Sequence, residues 1–450
     1  MPKEQTDKSK GDKSAPKPLP EVPVPGFVSD TTIGELVIHK DGSRRFIIRR
    51  KGVFSTSSRH RAPHLVHVPP NDSLAGNIVH FARDFARSYG TLQDLFQQVK
   101  AYINKYLELP QFYDDISALY VLLSWVYEFA PSLPYLRVIG DWGSGKTRFL
   151  QVVGSICFRP IFASGALTPA PIFRILDVFR GTLVLDEADF KDSSAWTDIV
   201  KILNNGYRPG FPVLRAEKEN GKWYPRGYQV FGPKLIATRF RFADEALESR
   251  CLTASMRTLT RADIPRVLPN IFQEEISDLR SKLLTFRLQN LNRLRGSEFT
   301  NDLLEPGLHP RLQEILIPLK VLANSDEHLS DVLSSFIKRQ QDSLYSRRRE
   351  SAEGRVLLAI IQLHEEGAML TGEAISVRVN ELDEDDTMTS RKAGWILRRL
   401  GFSKSRIPRD GRHLVVWNEE LIASLASQYG ISLPCSLSAD NPSHPSPLSP

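Results

Sequence analysis

The sequence predicts an α/β fold whose central part is a parallel β-sheet covered by helices, and three observations support it. Between residues 131 and 258, short β-branched runs alternate with helical segments. A glycine-rich loop, Gly140–Thr147, stands between one such run and the helix that follows it. A second apolar run, Leu183–Leu185, ends in the acidic pair Asp186 and Glu187. Regular alternation of strand and helix is typical of a parallel sheet with helices on both faces.

Composition limits the class of protein. The 450 residues suffice for two to four domains, and the formal net charge is +7. No apolar run approaches the roughly 18 residues of a membrane span, and no apolar segment of a secretory signal follows the N-terminus. We therefore expect a cytoplasmic protein. Cys157, Cys251 and Cys435 are far apart, which argues against a zinc site or a disulfide framework. The positive charge suits a polyanionic partner without requiring one.

Shifts in composition and periodicity predict the domain organisation. Asp41-Gly42 between two alternating apolar runs indicates a hairpin, and the spacing of Ile78, Phe81 and Phe85 predicts the first of three or four helices. The predicted segments are 1–25 (disordered basic tail), 26–70 (small β-rich element), 71–130 (helical N-terminal region), 131–258 (sheet domain), 259–350 (helical segment), 351–430 (small C-terminal domain) and 431–450 (disordered Pro/Ser tail).

The loop between the first strand and its helix has the residues of a phosphate-binding site. Its glycines let successive backbone N–H groups point at phosphate oxygens, and the helix N-terminus adds partial positive charge. Lys146 is expected to reach the β- and γ-phosphates, and the Thr147 hydroxyl to ligate Mg²⁺. The predicted ATP-binding residues are Gly140, Asp141, Trp142, Gly143, Ser144, Gly145, Lys146 and Thr147.

Residues farther along the chain complete a predicted hydrolysis site. Asp186 is expected to hold the Mg²⁺ shell, and Glu187 to orient and deprotonate the attacking water. Thr238, at the end of the run Lys234–Thr238, is a candidate to hold the same water. Arg250 precedes the last strand, where an arginine finger would act on a neighbouring subunit. The alternative is that Arg250 pairs with a glutamate of its own helical turn, Glu245 or Glu248.

These features together resemble the AAA+ P-loop ATPases over roughly residues 115–325. The resemblance implies ATP and Mg²⁺ as ligands, nucleotide sites at subunit interfaces, and a homo-oligomeric, usually hexameric, ring. It also implies a helical lid within residues 259–350. There, the segment that begins His309-Pro-Arg311 resembles the lid helix that supplies a second sensor arginine, which makes Arg311 an ATP-binding candidate. The alternative is an ordinary surface arginine.

Two runs about Asn220-Gly221 predict a β-hairpin, because Asn-Gly favours the type I′ turn. A hairpin just before the strand that ends in Thr238 resembles the one that superfamily III and minichromosome-maintenance-like helicases project into their central channel. The resemblance implies contacts with single-stranded DNA, and the alternative is a surface hairpin that packs its aromatic residues on its own domain. The candidate DNA-binding residues are Arg215, Lys218, Lys222, Trp223 and Arg226.

The segment 351–430 resembles a winged helix-turn-helix. Three helices are predicted at Gly354–His364, Leu370–Leu382 and Thr389–Leu400, followed by a hairpin within Ser403–Trp417. Such domains bind duplex DNA through the third helix and the wing, although some bind proteins instead. The candidate DNA-binding residues are Arg391, Lys392, Arg398, Arg399 and Arg412.

The sequence thus favours an Mg²⁺-dependent ATPase that acts on DNA, and the resemblance implies a replicative helicase or initiator-like motor of a mobile element. Two alternatives stay open at this stage. One is an ATP-dependent regulatory or defence protein that binds DNA or a partner without unwinding. The other is a nucleotide-switched scaffold with low turnover, against which Glu187 speaks.

Overall fold

The first of two compact units contains the predicted sheet domain. A computed structural model describes residues 19–39, 41–70, 78–83, 87–164, 169–186, 194–258, 260–305, 307–382, 387–406 and 413–433. The first unit comprises Met1–Phe299 with Ile315–Leu329, and the second comprises Thr300–Glu314 with Ser330–Pro450. The domain boundaries given above stay predictions.

Short strands begin the first unit. They are β1 (Glu21–Pro23), β2 (Gly26–Val28), β3 (Thr32–Ile38), β4 (Arg44–Arg50), β5 (Val53–Ser57), β6 (His60–Arg61) and β7 (Val66–Val68). Strands β2 to β5 form an antiparallel sheet in chain order, and the predicted hairpin at Gly42 joins β3 to β4. The expectation of a disordered tail through residue 25 is wrong for β1, because its backbone pairs in parallel with β7.

Two α-helices lie among the described residues of the region that follows, for which three or four helices were expected. They are α1 (Leu92–Tyr106) and α2 (Tyr113–Val126). The predicted helix at Ile78 and Phe81 is wrong for residues 79–83, and Phe85 lies outside the described residues. Val79 forms a bridge with Ile161, and Ala82 forms one with Val37. This segment is extended because its backbone pairs with two separate sheets, which sequence periodicity does not register.

The central sheet is parallel and five-stranded, which confirms the predicted α/β class. Its elements are β8 (Tyr135–Ile139), α3 (Lys146–Ile156), β9 (Ile161–Ala163), α4 (Pro169–Phe179), β10 (Leu183–Leu185), α5 (Ser194–Asn205), β11 (Val213–Glu219), β12 (Lys222–Tyr228), β13 (Lys234–Thr238), α6 (Glu245–Glu248) and β14 (Cys251–Ser255). The strand order is β14-β8-β13-β10-β9. After β8 the chain continues to β9 at one edge of the sheet, and after β13 it passes to β14 on the other side of β8. Ligands bind at the carboxyl ends of strands where the strand order switches in this way.

A buried ion-pair network fixes the N-terminal strands to this core. Glu35 on β3 accepts hydrogen bonds from Arg159 Nη2 at 2.5 Å and Arg287 Nε at 2.7 Å. Arg287 also bonds Glu128 at 2.5 and 2.8 Å. These two carboxylates raise the pKa of Arg287 despite its burial. Because a buried charge is costly unless it is paired, each member of the network requires the others.

A buried lysine at the amino end of β13 donates hydrogen bonds to backbone carbonyls. Lys234 begins β13, is fully buried, and donates from Nζ to the carbonyls of Gly206, Val230 and Gly232 at 2.8–3.0 Å. Burial lowers the pKa of its ammonium to about 7. A Cβ on Gly206 would lie 2.7 Å from the carbonyl oxygen of Val230 and 2.8 Å from that of Ile202, so glycine is required there.

Helices follow the central sheet, and no helix among the described residues is long and apolar enough to cross a bilayer. They are α7 (Ile271–Arg295), α8 (Pro310–Ala323) and α9 (Glu327–Glu350), the last two shared between the units. The second unit continues with α10 (Ala352–Glu365), α11 (Gly372–Leu382), α12 (Ser390–Arg399), β15 (Lys404–Arg406), β16 (His413–Val415) and α13 (Glu419–Tyr429). Three helices and an antiparallel strand pair occur in the predicted order.

Lys234 generates a pH-dependent prediction. Between about pH 7 and the ordinary lysine value of 10.5, the unfolded chain binds a proton that the folded chain has released. The free energy of unfolding contributed by this group therefore rises with pH across that window. We expect Lys234→Met to remove this rise and to lower stability throughout, since three carbonyls lose their donor.

Urea unfolding at several pH values between 7 and 9.5 measures the effect. The exposed Lys201→Met variant is the control and should keep the wild-type slope. An unchanged pH slope in Lys234→Met would contradict the assignment.

Candidate functional site

The loop between β8 and α3 has a backbone that depends on its glycines. Gly143 and Gly145 have φ of 75° and 91°, in the left-handed region that favours glycine. A Cβ on Gly140 would lie 2.6 Å from Ser144 Oγ and 2.9 Å from the carbonyl oxygen of Met256. The loop therefore turns tightly into α3, and backbone N–H groups at a helix N-terminus suit an anion.

The ammonium of Lys146 folds back onto the loop. Its Nζ donates to the carbonyls of Gly140 at 2.6 Å and Asp141 at 2.8 Å. Carbonyl oxygens are neutral acceptors, whereas a phosphate would offer the ammonium a charge-assisted hydrogen bond. The lysine is thus held at the loop by contacts that a bound phosphate can replace.

A hydroxyl and a carboxylate meet beside the loop. Thr147 lies in the first turn of α3 and donates from Oγ1 to Oδ2 of Asp186 at 3.0 Å. Asp186 directly follows β10. Oxygen donors of this kind fit Mg²⁺, which is commonly held by one or two protein oxygens and substrate phosphates. The residues present therefore fit the expected metal. Glu187, the predicted base, lies outside the described residues.

Thr238 ends β13 next to the loop. It pairs in register with Ile139 of β8, and its carbonyl accepts from Gly140 N at 3.3 Å. The side chain is 1% exposed, and Oγ1 has no hydrogen-bond partner among the residues that the structure describes. An unpaired buried hydroxyl is costly, so this atom is suited to a water or ligand oxygen at the site.

Arg250 has partners that the sequence analysis did not name. It is 7% exposed, donates to Asn204 Oδ1, and places its guanidinium carbon 4.0 Å from the ring centroid of Tyr207. A finger acting on a neighbouring subunit needs an exposed side chain, and the alternative pairing with a glutamate of its own turn is not formed either. Glu248 instead bonds Arg137 and Arg241. A finger role requires Arg250 to leave Asn204 and Tyr207.

Arg311 belongs to the second unit. It lies in the first turn of α8 and donates from Nη1 to Glu314 Oε2 at 2.6 Å. Its expected contact with nucleotide stays a prediction.

The predicted hairpin forms as β11 and β12. Asn220 and Gly221 have φ of 49° and 81°, as the type I′ turn requires. Paired residues share a face, and one face carries the buried Val213 and Tyr228. That face rests on α4 and α5.

Two of the five hairpin candidates are engaged within their own subunit. Arg215 lies 3.2 Å from Asp198 and stacks over Phe173, so the predicted contact with DNA would require it to leave these partners. Arg226 approaches Glu217 at 3.4 Å. The hydrogen bond from Tyr228, together with Arg174 and Arg226, lowers the pKa of the Glu217 carboxyl.

The opposite face of the hairpin is open. Lys218 and Trp223 are cross-strand partners there, and Trp223 is 67% exposed. Leu214 on the same face is 66% exposed. Lys222 is also exposed, beside the turn. The hairpin therefore presents a lysine beside an aromatic ring, a combination that suits phosphate contact together with base stacking.

In the second unit, α12 presents an exposed basic face. Its candidates Arg391, Lys392, Arg398 and Arg399 are exposed, and Arg412 lies outside the described residues. Arg399 pairs with Glu353 at 3.0 Å. Trp395, which is 57% exposed and lies one helical turn from Arg391 and Arg399, was missed by sequence reasoning. Its spacing of four from both arginines was the available signal.

The sequence analysis also did not identify Met256 as a residue that contacts the phosphate-binding loop. It follows β14, donates its backbone N–H to Ile139 at 2.7 Å, and lies against the loop glycines. Its position directly after the last strand was the only signal in the sequence.

No family model matches the sequence, and no curated protein matches it. The chain is similar to the solved C-terminal region of NrS-1, with 10% identity over 86% of this chain and 97% of that chain and a TM-score of 0.37. A full-length MCM homolog from Methanopyrus kandleri has 11% identity over 69% of this chain and 74% of that chain, with a TM-score of 0.37. The ORC1 protein of Aeropyrum pernix, solved in complex with DNA, has 15% identity over 74% and 97% and a TM-score of 0.23. At such low TM-scores and identities the similarity assigns the chain to no family.

Proposed function

We propose that the chain is an Mg²⁺-dependent ATPase that acts on DNA, as a ring-forming replicative helicase or initiator-like motor of a mobile element. The observation that carries the proposal is the meeting of three features at the carboxyl edge of one parallel sheet. They are the Lys146 loop, the Thr147–Asp186 pair and the buried hydroxyl of Thr238, which has no partner in the part of the chain that the structure describes.

In this proposal Lys146 exchanges its loop carbonyls for phosphate oxygens of ATP and stabilises the charge that develops there. Thr147 and Asp186 hold Mg²⁺, which when bound neutralises charge on the phosphates. Glu187 accepts a proton from the attacking water, and the Thr238 hydroxyl orients that water. Cleavage of the terminal phosphate by water yields ADP and inorganic phosphate.

Two surfaces support DNA as the partner. The open face of the β11–β12 hairpin combines Lys218 with Trp223, which suits a single strand because stacking tolerates any base. The exposed basic face of α12 suits the phosphates of a duplex, as in a winged helix-turn-helix. The proposed ring and its central channel are inferred from the resemblance of the sequence motifs to those of AAA+ ATPases.

The unpaired hydroxyl gives a sharp test of the hydrolysis site. Thr238→Val replaces a buried hydroxyl that has no described partner with a methyl group of similar volume. We expect the free energy of unfolding to stay equal or to rise, because no hydrogen bond is lost and a desolvated polar atom is removed. The turnover of ATP should fall at least about tenfold, since correct orientation of the water is lost.

Steady-state phosphate release and urea unfolding provide the two readouts. Lys146→Ala is the reference for loss of the site, with an expected fall of at least about 100-fold. The exposed Lys201→Ala variant is the matched control and should hydrolyse ATP at the wild-type rate. A Thr238→Val variant with lower stability and normal turnover would make Thr238 a structural residue.

The open face of the hairpin generates a second prediction. Lys218→Ala and Trp223→Ala should each weaken binding of a fluorescent single-stranded oligonucleotide by about tenfold, because a phosphate contact or a stacked base is removed. Basal ATP turnover should remain at the wild-type rate. Only the lysine variant should also reduce the salt dependence of binding.

Fluorescence anisotropy at several salt concentrations measures both effects. Lys105→Ala is the charge-matched control, because Lys105 lies on α1 and pairs with Glu275. Wild-type affinity in both hairpin variants would remove the hairpin from the DNA interface.

A further inference from the structure

The exposed tryptophan of α12 lies at the centre of the basic face of that helix. The helix buries Ala393, Ile396 and Leu397 on one side. Trp395 lies on the opposite side, where its side chain is 57% exposed. At about 3.6 residues per turn, four basic residues fall within about 60° of Trp395 around the helix axis. They are Arg391, Lys392, Arg398 and Arg399, and all four are exposed.

The charged groups of this helix are cationic, and a further cation reaches it from the neighbouring strand. The guanidinium carbon of Arg399 lies 5.4 Å from the ring centroid of Trp395, and Arg399 also pairs with Glu353 of α10. Lys404 of β15 lies close to the same helix, since a Cβ on Gly394 would be 3.1 Å from its Nζ. The helix itself contains no acidic residue. The surface therefore fits a polyanion that also offers a flat group for stacking.

The residue types of α12 favour an unpaired base over a base pair. The edges of paired bases are matched by Asn or Gln at adenine, by Asp or Glu at cytosine, and by Arg or Lys at guanine. The first four types do not occur in α12, and the centre of its exposed face is an indole. An indole binds the flat face of a base and accepts any base. Inside a duplex the neighbouring base pairs cover that face, so an unpaired base is the better partner.

We propose that α12 binds the junction where duplex DNA opens into single strands, with Trp395 stacked on the first unpaired base and the surrounding cations on the phosphates. This inference rests on the proposed function, because it requires DNA as the partner. It goes beyond a basic face for duplex phosphates, since it gives the second unit a preference for DNA structure rather than for sequence.

The binding of three DNAs by the full chain tests the junction assignment. The first is a forked DNA, the second is the isolated single strand of its arm, and the third is a duplex closed at both ends by non-nucleotide linkers. Fluorescence anisotropy would be measured in a Lys218→Ala/Trp223→Ala background, which removes the open face of the hairpin. The variants in that background are Trp395→Ala, Trp395→Phe and Arg391→Gln. The matched control is Val377→Ala on α11, whose apolar side chain is 54% exposed.

The background chain should bind the fork more tightly than either other DNA. We expect Trp395→Ala to weaken binding of the fork about tenfold and of the closed duplex less than about twofold, because only the fork offers an unpaired base beside a duplex. Trp395→Phe should recover most of the affinity, since it keeps an aromatic ring. Arg391→Gln should weaken binding of all three DNAs by a similar factor and lower the salt dependence, as expected for a phosphate contact. Val377→Ala should bind like the background chain.

Three results would overturn the junction assignment while leaving the proposed function in place. They are equal loss of fork and closed duplex in Trp395→Ala, an isolated strand bound as tightly as the fork, and loss of all binding in the hairpin background while the wild type still binds. A wild-type chain that binds none of the three DNAs would overturn DNA as the partner, and this inference with it.

Discussion

The parallel register of β8, β10 and β13 is the constraint on which the candidate site depends. Thr238 lies opposite Ile139, and Ile236 lies opposite Leu185, so the three strands end at one edge of the sheet. The residues that follow them are thereby brought together from distant parts of the chain. A shift of one residue in β13 would move Thr238 to the other face of the sheet and separate it from the loop.

Contacts at the amino end of β13 and with the N-terminal strands beside the sheet stabilise the same register. Lys234 satisfies three carbonyls at the amino end of β13, one strand length from Thr238. The network of Glu35, Arg159 and Arg287 connects β3 with α7 and the segment before β9. Leu36 and Phe46 of the N-terminal strands belong to the same hydrophobic cluster as Ile236. The N-terminal strands therefore share the core of the sheet domain.

Features encoded by local sequence were predictable, and those set by distant partners were not. The strand before the glycine loop and the helix after it form as the sequence analysis predicts, because alternation and the glycine loop are local signals. The Asn220-Gly221 turn is local as well. The burial of Arg250 depends on Asn204, and the inward position of Arg215 depends on α4 and α5, none of which a motif reveals.

The residues of the candidate site show the same distinction between local sequence signals and distant partners. The sequence named Lys146, Thr147, Asp186 and Thr238 because their types follow strand ends in a known order. It did not reveal that the hydroxyl of Thr238 has no hydrogen-bond partner among the described residues, since this depends on side-chain packing.

Strand displacement on forked DNA tests the central claim, that ATP hydrolysis at this site drives movement on DNA. Forks with a single-stranded arm of either polarity would be incubated with the full chain, ATP and Mg²⁺, with Lys146→Ala as the inactive reference. The account predicts ATP-dependent displacement with one arm polarity and none with Lys146→Ala. Full ATP turnover with both forks left intact, and without stimulation by single-stranded DNA, would contradict the motor and favour a regulatory ATPase.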